Sequence, residues 1–394
     1  MSISTTPCYS QHETLRQGLY YPPQSLKTKL CLRGRDLMYE RCRTYNVPHK
    51  QVGKLVVAKE SQRDYIYKLH AKSLKLGNKE DGSPFLPTVL LSNDAVRQME
   101  PDLSKHVIAA LWCPMTGIID SHSFMESLEK DIIDSENGEL VYSTRVVRVD
   151  PSARSLVAAT PDLVNPEDGW VVQVVTGDAE EGDALLARTV INSSGLSSSL
   201  ILNALLPYDC QIPMYYARGS YASYHGPGIG SVKRLIYPCP DTGSNVHGFQ
   251  SLGTHLTLDL RGKVRFGPDI EWIEPPPDPI HDRPEDEADF WMKLLIPDES
   301  RLPEMYGAVV NYLPNIELAG LQPDYCGVRP KLVPPGGGFQ DFVFRSDFPT
   351  GTGKGRNPML SLLNIESPGL TSSLAIAEHV VENILHRNLD HERR

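Results

Sequence analysis

The sequence lacks most of the features that assign a chain to a class at sight. No stretch approaches the roughly 18 consecutive apolar residues that a transmembrane helix needs. Met1 to Gln11 is rich in Ser and Thr. It contains neither the apolar core of a secretory signal nor the Arg-rich pattern of a mitochondrial presequence. The seven cysteines are scattered and odd in number, and no C-x-x-C occurs. Neither a disulfide framework nor a zinc site is therefore expected, and the thiols read as reduced and intracellular. The last four residues match no lipidation or peroxisomal tail. Basic charge is also short: Asp and Glu number 49 against 39 Lys and Arg, a net charge of −10. That argues against a nucleic-acid binder, whose affinity rests on neutralising phosphates. A small acidic substrate stays open, because a few arginines can make a positive pocket on an acidic protein. No Ser-His-Asp arrangement, metal-ligand spacing or internal repeat is present.

Phosphate-cradling turns are missing too. Gly226-Pro-Gly228-Ile-Gly230 contains G-x-G, but no strand delivers the chain into it and no helix follows. Thr350 to Gly355 lacks the Ser or Thr that a phosphate loop needs after Lys354. Asn192-Ser-Ser fits a glycosylation pattern but lies at the end of a buried strand.

What is present is an ordinary globular composition over 394 residues, enough for two or three domains. Apolar residues at helical spacing predict a helix over Ser25–Tyr45, with Ser25 as N-cap and a stop before Pro48. Val52–Ala58 reads as a buried strand. Ser61-Gln-Arg-Asp64 reads as a capping-box start for a helix ending at Gly77-Asn78. Short helices are expected at Asn93–Glu100 and Ser121–Ser135. Glu139–Val149, Gly169–Thr176 and Leu186–Ile191 read as strands, and a helix follows over Ser197–Leu205. Residues 212–266 read as mostly β, Glu271–Asp289 as an exposed acidic loop, and Leu370–Leu385 as a final amphipathic helix.

Four segments carry chemical information. Tyr20-Tyr21-Pro-Pro leads stiffly into a helix, as a packed arm or as part of a site. In Val190–Gly195 a strand enters a small-residue turn, where glycine permits close ligand approach or simply turns the chain. Arg329 can hold a carboxylate bidentately or form a surface ion pair. Asn364–His379 runs from strand through Pro-Gly into a helix. Its free N-terminal amides can stabilise developing negative charge or merely be capped.

In this order the segments resemble the FAD-dependent oxidoreductases of the D-amino-acid-oxidase type, and within it the L-2-hydroxyglutarate dehydrogenase group. The resemblance spans about Glu13 to Leu385. It rests on GLYYPPQSLKTKLC (Gly18–Cys31), VGKLVVA (Val52–Ala58), TGIIDSHSFMESL (Thr116–Leu128), VINSSGL (Val190–Leu196), LGTHLTLDLRGKVRFGPD (Leu252–Asp269) and SPGLTSSLAIAEHV (Ser367–Val380). The resemblance implies an α/β fold in which a Rossmann-like FAD-binding domain is interleaved with a mixed or antiparallel substrate domain. The FAD-binding parts are 13–47, 121–206 and 331–388. The substrate parts are 48–120 and 207–330. The family's opening strand, G-x-G-x-x-G turn and helix have no counterpart. The first βαβ unit is therefore expected to be missing, with an upstream exon as its expected source. Apolar faces around Val190–Ile191 and on the last helix are then expected to lack partners.

The implied activity is FAD-dependent oxidation of a short 2-hydroxy dicarboxylic acid of the L-2-hydroxyglutarate type to its 2-oxo acid. The electron acceptor is unknown. A mitochondrial location is implied, with a cytoplasmic one as the alternative. By the same resemblance, His255 and Arg329 are the catalytic candidates, as base and carboxylate clamp. Tyr20, Tyr21, Arg218 and Lys331 are substrate-binding candidates. Gly18, Val146, Ser194, Gly195, Gly369, Leu370, Thr371 and Ser372 are cofactor-binding candidates, and no metal is expected. Where close relatives carry a histidine beside the flavin, this chain has Arg16. Two alternatives stand beside this reading. One is a flavin-free relative that binds small acids or protein partners; the other is an amino-acid or sarcosine-type oxidase.

Overall fold

The computed structural model describes residues 12–152, 169–179, 181–240, 253–275, 290–349 and 357–385. Thr350–Gly355 lies outside these residues. Strand β1 (His12–Leu15) leads to helix α1 (Leu26–Thr44). The Ser25 hydroxyl caps α1 by accepting from the Thr28 amide at 3.1 Å. The Asp341 carboxylate accepts from the next two free amides, Leu26 at 2.7 Å and Lys27 at 2.8 Å. A loop more than 300 residues away thus satisfies the positive end of the helix. After α1 come β2 (His49–Lys50), β3 (Lys54–Ala58) and α2 (Arg63–Leu74). The capping box lies a few residues earlier than expected. Its side chain is Gln62, whose Oε1 accepts from the Lys59 amide at 2.9 Å, and Ser61 takes no part.

The chain continues through β4 (Val89–Ser92), α3 (Asn93–Met99), β5 (Ala109–Cys113), β6 (Gly117–Asp120) and α4 (Ser121–Ile133). Three strands then form an antiparallel meander: β7 (Thr144–Pro151), β8 (Trp170–Thr176) and β9 (Asp183–Ala187). The expected strand over Leu186–Ile191 is in fact two. β9 ends at Ala187 and pairs with β8. β10 (Val190–Asn192) belongs to a different sheet. Helix α5 (Ser198–Asn203) follows. Asn192 is buried and donates to the Ser198 carbonyl at 2.9 Å, so it organises this turn.

The second half contains β11 (Tyr215–Tyr224), β12 (Leu235–Pro238), β13 (His255–Leu258), β14 (Val264–Gly267) and β15 (Glu271–Ile273). Helix α6 (Leu302–Val309), β16 (Leu321–Lys331), β17 (Val343–Asp347), β18 (Met359–Leu363) and α7 (Gly369–Glu378) complete it. The last helix is α-helical only to Glu378; His379–Leu385 forms a π-helical continuation.

Nine strands make one mixed sheet in the order β15-β11-β14-β13-β12-β3-β5-β4, with β16 along the other edge of β11. Its pairings are antiparallel except β3 with β12, which run parallel. Leu55, Val57, Ala110, Leu235, Leu256 and Phe266 of this sheet share a core with Met305 and Val309 of α6. β10, β18 and β17 form a second sheet, and β1, β6 and β2 a third. The third sheet joins β1, from the expected FAD-binding part, to two strands from the expected substrate part.

α7 does not lack a partner, because α1 covers it. A Cβ at Gly34 of α1 would lie 2.2 Å from the Thr371 carbonyl oxygen and 2.8 Å from Ser372 Cα. The two backbones therefore touch, and only glycine fits between them. Ile191 on β10 does remain 44% exposed. Gly34→Ala is expected to destabilise the fold by about 1–3 kcal/mol, as overpacking does. A thermal melt checks this, and an unchanged Tm would mean that the helices part freely here.

Candidate active site

Four segments converge on one cavity: 16–27 after β1, 253–270 around β13, 329–340 from the end of β16, and 364–367 ahead of α7. Of the sequence candidates, Tyr20, Tyr21, His255, Arg329 and Lys331 line it. Arg16, Lys27, Phe339 and Glu366 line it as well.

His255 opens β13 and is 3% exposed. Its Nδ1 lies 3.1 Å from the Gly253 carbonyl oxygen, which can only accept. Nδ1 therefore carries the proton, and Nε2 keeps a free lone pair. The ring stacks on Tyr237 with centroids 3.8 Å apart. Burial, reinforced by the charges of Arg16, Arg329 and Lys54, holds His255 well below its usual 6.5; the Gly253 hydrogen bond opposes this only partly. The imidazole is thus neutral near pH 7.

Arg329 sits on β16 opposite Ala217 of β11. It is half-buried. Among the described residues its guanidinium has no hydrogen bond or ion pair. Lys331, two residues on, points to the same side of the strand. Its Nζ donates to both Glu366 oxygens, at 3.1 and 2.9 Å, and Lys27 Nζ donates to Glu366 Oε1 at 3.1 Å. Burial raises the Glu366 pKa, but Lys27, Lys331 and Arg329 outweigh it and hold the carboxyl below its usual value. Glu366 is therefore ionised and a poor base.

Arg218 does not line the cavity. Its guanidinium donates to Glu271 Oε2 at 3.1 Å, the Ile296 carbonyl at 2.6 Å and Cys326 Sγ at 3.3 Å. Those acceptors draw it to the β15 side of β11. Val146 on β7 packs in the core of the meander, and Ser194 and Gly195 form the turn after β10. All three lie apart from the cavity lining. Gly18 is buried against Thr28 and Cys31 of α1 in a left-handed conformation, φ +68°. Gly369–Ser372, the first turn of α7, adjoins the cavity. The Arg16 amide donates to Thr371 Oγ1 at 3.0 Å, and Tyr21 Oη to the Ser367 carbonyl at 3.0 Å.

Sequence reasoning did not select Lys27, Lys54 or Glu366 as site residues. Lys54 was detectable, because a lysine within the apolar run VGKLVVA must bury its charge. It is 3% exposed, with Nζ over the rings of Tyr20 at 4.7 Å and Tyr237 at 4.8 Å. Burial first, then Arg16, lowers its pKa to about 8. Below pH 8 both folded and unfolded chains carry this proton, and the folded state bears the full desolvation cost. Between about 8 and 10.5 only the unfolded chain keeps it, so that cost fades as pH rises. Lys54→Met is therefore expected to raise Tm at pH 7, with the gain shrinking toward pH 10. A gain independent of pH would contradict a buried charge.

A neutral imidazole and a cluster of cations line one cavity, an arrangement suited to an anionic ligand. The mixed sheets beside it have the architecture of flavin oxidoreductases. The chain belongs to the DAO family of FAD dependent oxidoreductases, whose sequence profile matches residues 11–383. It is 33% identical over 406 residues to "L-2-hydroxyglutarate dehydrogenase, mitochondrial" of Arabidopsis thaliana, covering 98% of this chain and 77% of that one. The Homo sapiens protein of the same name is 28% identical over 394 residues, with 95% and 79% covered. In fold the chain is similar to L-alpha-glycerophosphate oxidase from Mycoplasma pneumoniae, with a TM-score of 0.67 and 15% identity over 95% of this chain and 84% of that one. Glycine oxidase from Geobacillus kaustophilus gives a TM-score of 0.64 at 14% identity, over 95% and 83%.

The described residues fit FAD at two places. Among the described residues, no side chain caps the first turn of α7, and the hydroxyls of Ser367 and Ser372 beside it are buried without partners. Such a terminus suits an acceptor group that gains negative charge. At the end of β10, Gly195 has φ +62° and open space where a Cβ would stand, so a ligand can approach its backbone. No strand, glycine-rich turn and helix unit is present among the described residues.

Proposed function

We propose that the chain oxidises L-2-hydroxyglutarate, or a closely similar short 2-hydroxy dicarboxylic acid, to the 2-oxo acid. One observation carries the reading: the cavity pairs a neutral imidazole with a guanidinium that makes no hydrogen bond or salt bridge among the described residues. Arg329 takes the carboxylate next to the reacting carbon through two parallel hydrogen bonds. His255 Nε2 receives the hydroxyl proton, and the Gly253 carbonyl fixes the ring for that transfer. Burial of His255 and Lys331 strengthens both interactions. When bound, FAD supplies the two-electron oxidant for the carbon. The first turn of α7, Gly369–Ser372, would hold its flavin end. Gly18, Val146, Ser194 and Gly195 are the proposed contacts along the rest.

An amine-oxidising reading fits less well. Its substrate would bring an ammonium group among Arg16, Lys27, Arg329 and Lys331. The relatives' names say mitochondrial, and we extend that compartment to this chain. The test is anaerobic mixing of the FAD-loaded full chain with L-2-hydroxyglutarate. Bleaching of the flavin absorbance, with 2-oxoglutarate as product, is expected. A flavin that stays oxidised with this acid but bleaches with an amino acid would overturn the reading.

A further inference from the structure

We propose that Lys27, Lys331 and Glu366 form a second anion subsite, which takes the substrate carboxylate remote from the reacting carbon. This rests on the dicarboxylate reading above and assigns its second charge. An ammonium group has three donors. Among the described residues, Lys27 Nζ donates one hydrogen bond and Lys331 Nζ two, all to Glu366. Three donors are left over. The two ammoniums share one hydrogen-bonded carboxylate; the Asp341 carboxylate, tied to the Leu26 and Lys27 amides, adds a second negative charge nearby, and Arg329 a third positive one, so the cluster stays net positive. Lys27 is 2% exposed and Lys331 7%. Buried ammonium donors left without acceptors are costly unless an anion joins them.

The surroundings hold this charge in place. Lys27 Nζ lies over the rings of Tyr21 at 5.8 Å, Phe339 at 6.0 Å and Phe342 at 5.4 Å. These rings favour a cation but cannot neutralise it. The Lys27 backbone is fixed by Asp341 at the helix terminus. Spacing completes the argument. Arg329 and Lys331 are two apart on one strand, so they share a face with α-carbons about 7 Å apart. A short diacid can bridge from one to the other. Glu366 lowers the charge of the subsite and holds both ammoniums in place, while their spare donors stay open to a carboxylate.

The test uses the FAD-loaded full chain and two unreactive acids, glutarate and butyrate. Dissociation constants are read by calorimetry and by perturbation of the flavin spectrum. Wild type is expected to prefer glutarate. Lys27→Met leaves Glu366 paired with Lys331, so no carboxylate is orphaned. It should reduce the glutarate preference roughly ten- to a hundred-fold, the worth of a charged hydrogen bond, with butyrate binding unmoved. Glu366→Gln adds net positive charge and should increase the preference; it serves if Lys27→Met does not fold. If wild type prefers glutarate and the variants keep that ratio, the subsite is wrong and the dicarboxylate reading stands. If wild type binds both acids alike, both ideas fall.

Discussion

Replacing His255 by alanine is expected to lower kcat by about 10²–10⁴-fold, the usual worth of a positioned general base, with KM little changed. The carboxylate contacts survive the substitution, so binding should survive too. Added imidazole should restore part of the rate, because the cavity left by the ring admits it. A structural histidine would show no such rescue, and a kcat within a few-fold of wild type would remove His255 from the mechanism. The pH profile gives a second check. Burial and three neighbouring cations depress the His255 pKa below 6.5, so kcat/KM should show no acid limb at that value. Stability carries the matching signature. Below pH 6.5 the unfolded chain binds this proton and the folded one does not, so His255 contributes a loss of stability as pH falls from 6.5 toward its folded value. The alanine variant should lack that component.

Arg329→Met is expected to raise KM about ten- to a hundred-fold, through loss of a bidentate charged pair. Arg329→Lys should recover only part of this, because an ammonium cannot grip both oxygens in a plane. Tm should hold steady in both, since Arg329 has no ion-pair partner among the described residues to orphan. Arg218→Met is the control. It strips hydrogen bonds from Glu271 and the Ile296 carbonyl, so Tm should fall while KM stays put. Unchanged steady-state kinetics for Arg329→Met would discard the clamp.

Local grammar was readable in the sequence where a single element determines itself. α1 begins after Ser25 and ends at Thr44, as its apolar spacing and Pro48 require. β3 and β18 are fully buried, as apolar runs of their length suggest. Reading failed where a partner decides. Leu186–Ile191 looks uniform, yet Leu186 pairs with Val171 and Ile191 with Leu360, in different sheets. The same holds for the site. His255 and Arg329 were found through motifs, and both line the cavity. Lys27 reads as one basic residue among several on an amphipathic helix; nothing local reveals that Glu366 lies against it. Arg218 and Arg329 look alike in sequence, and only the acidic strand β15 beside one of them separates their placements.

The contact between α1 and α7 also has a bearing on how the protein is made. Lys27 and Glu366 are 339 positions apart, and Gly34 meets Thr371 across a similar span. During synthesis the ribosome must deliver nearly the whole chain before either contact can form. The nine-stranded sheet is complete in sequence at Lys331, so it can assemble on the emerging chain first, as domains commonly do. Until α7 emerges, α1 holds its glycine-notched surface open, a natural stretch for a chaperone to cover. The cavity is therefore the last part of the molecule to take shape, and a nascent chain stalled before residue 364 would carry the scaffold without the site.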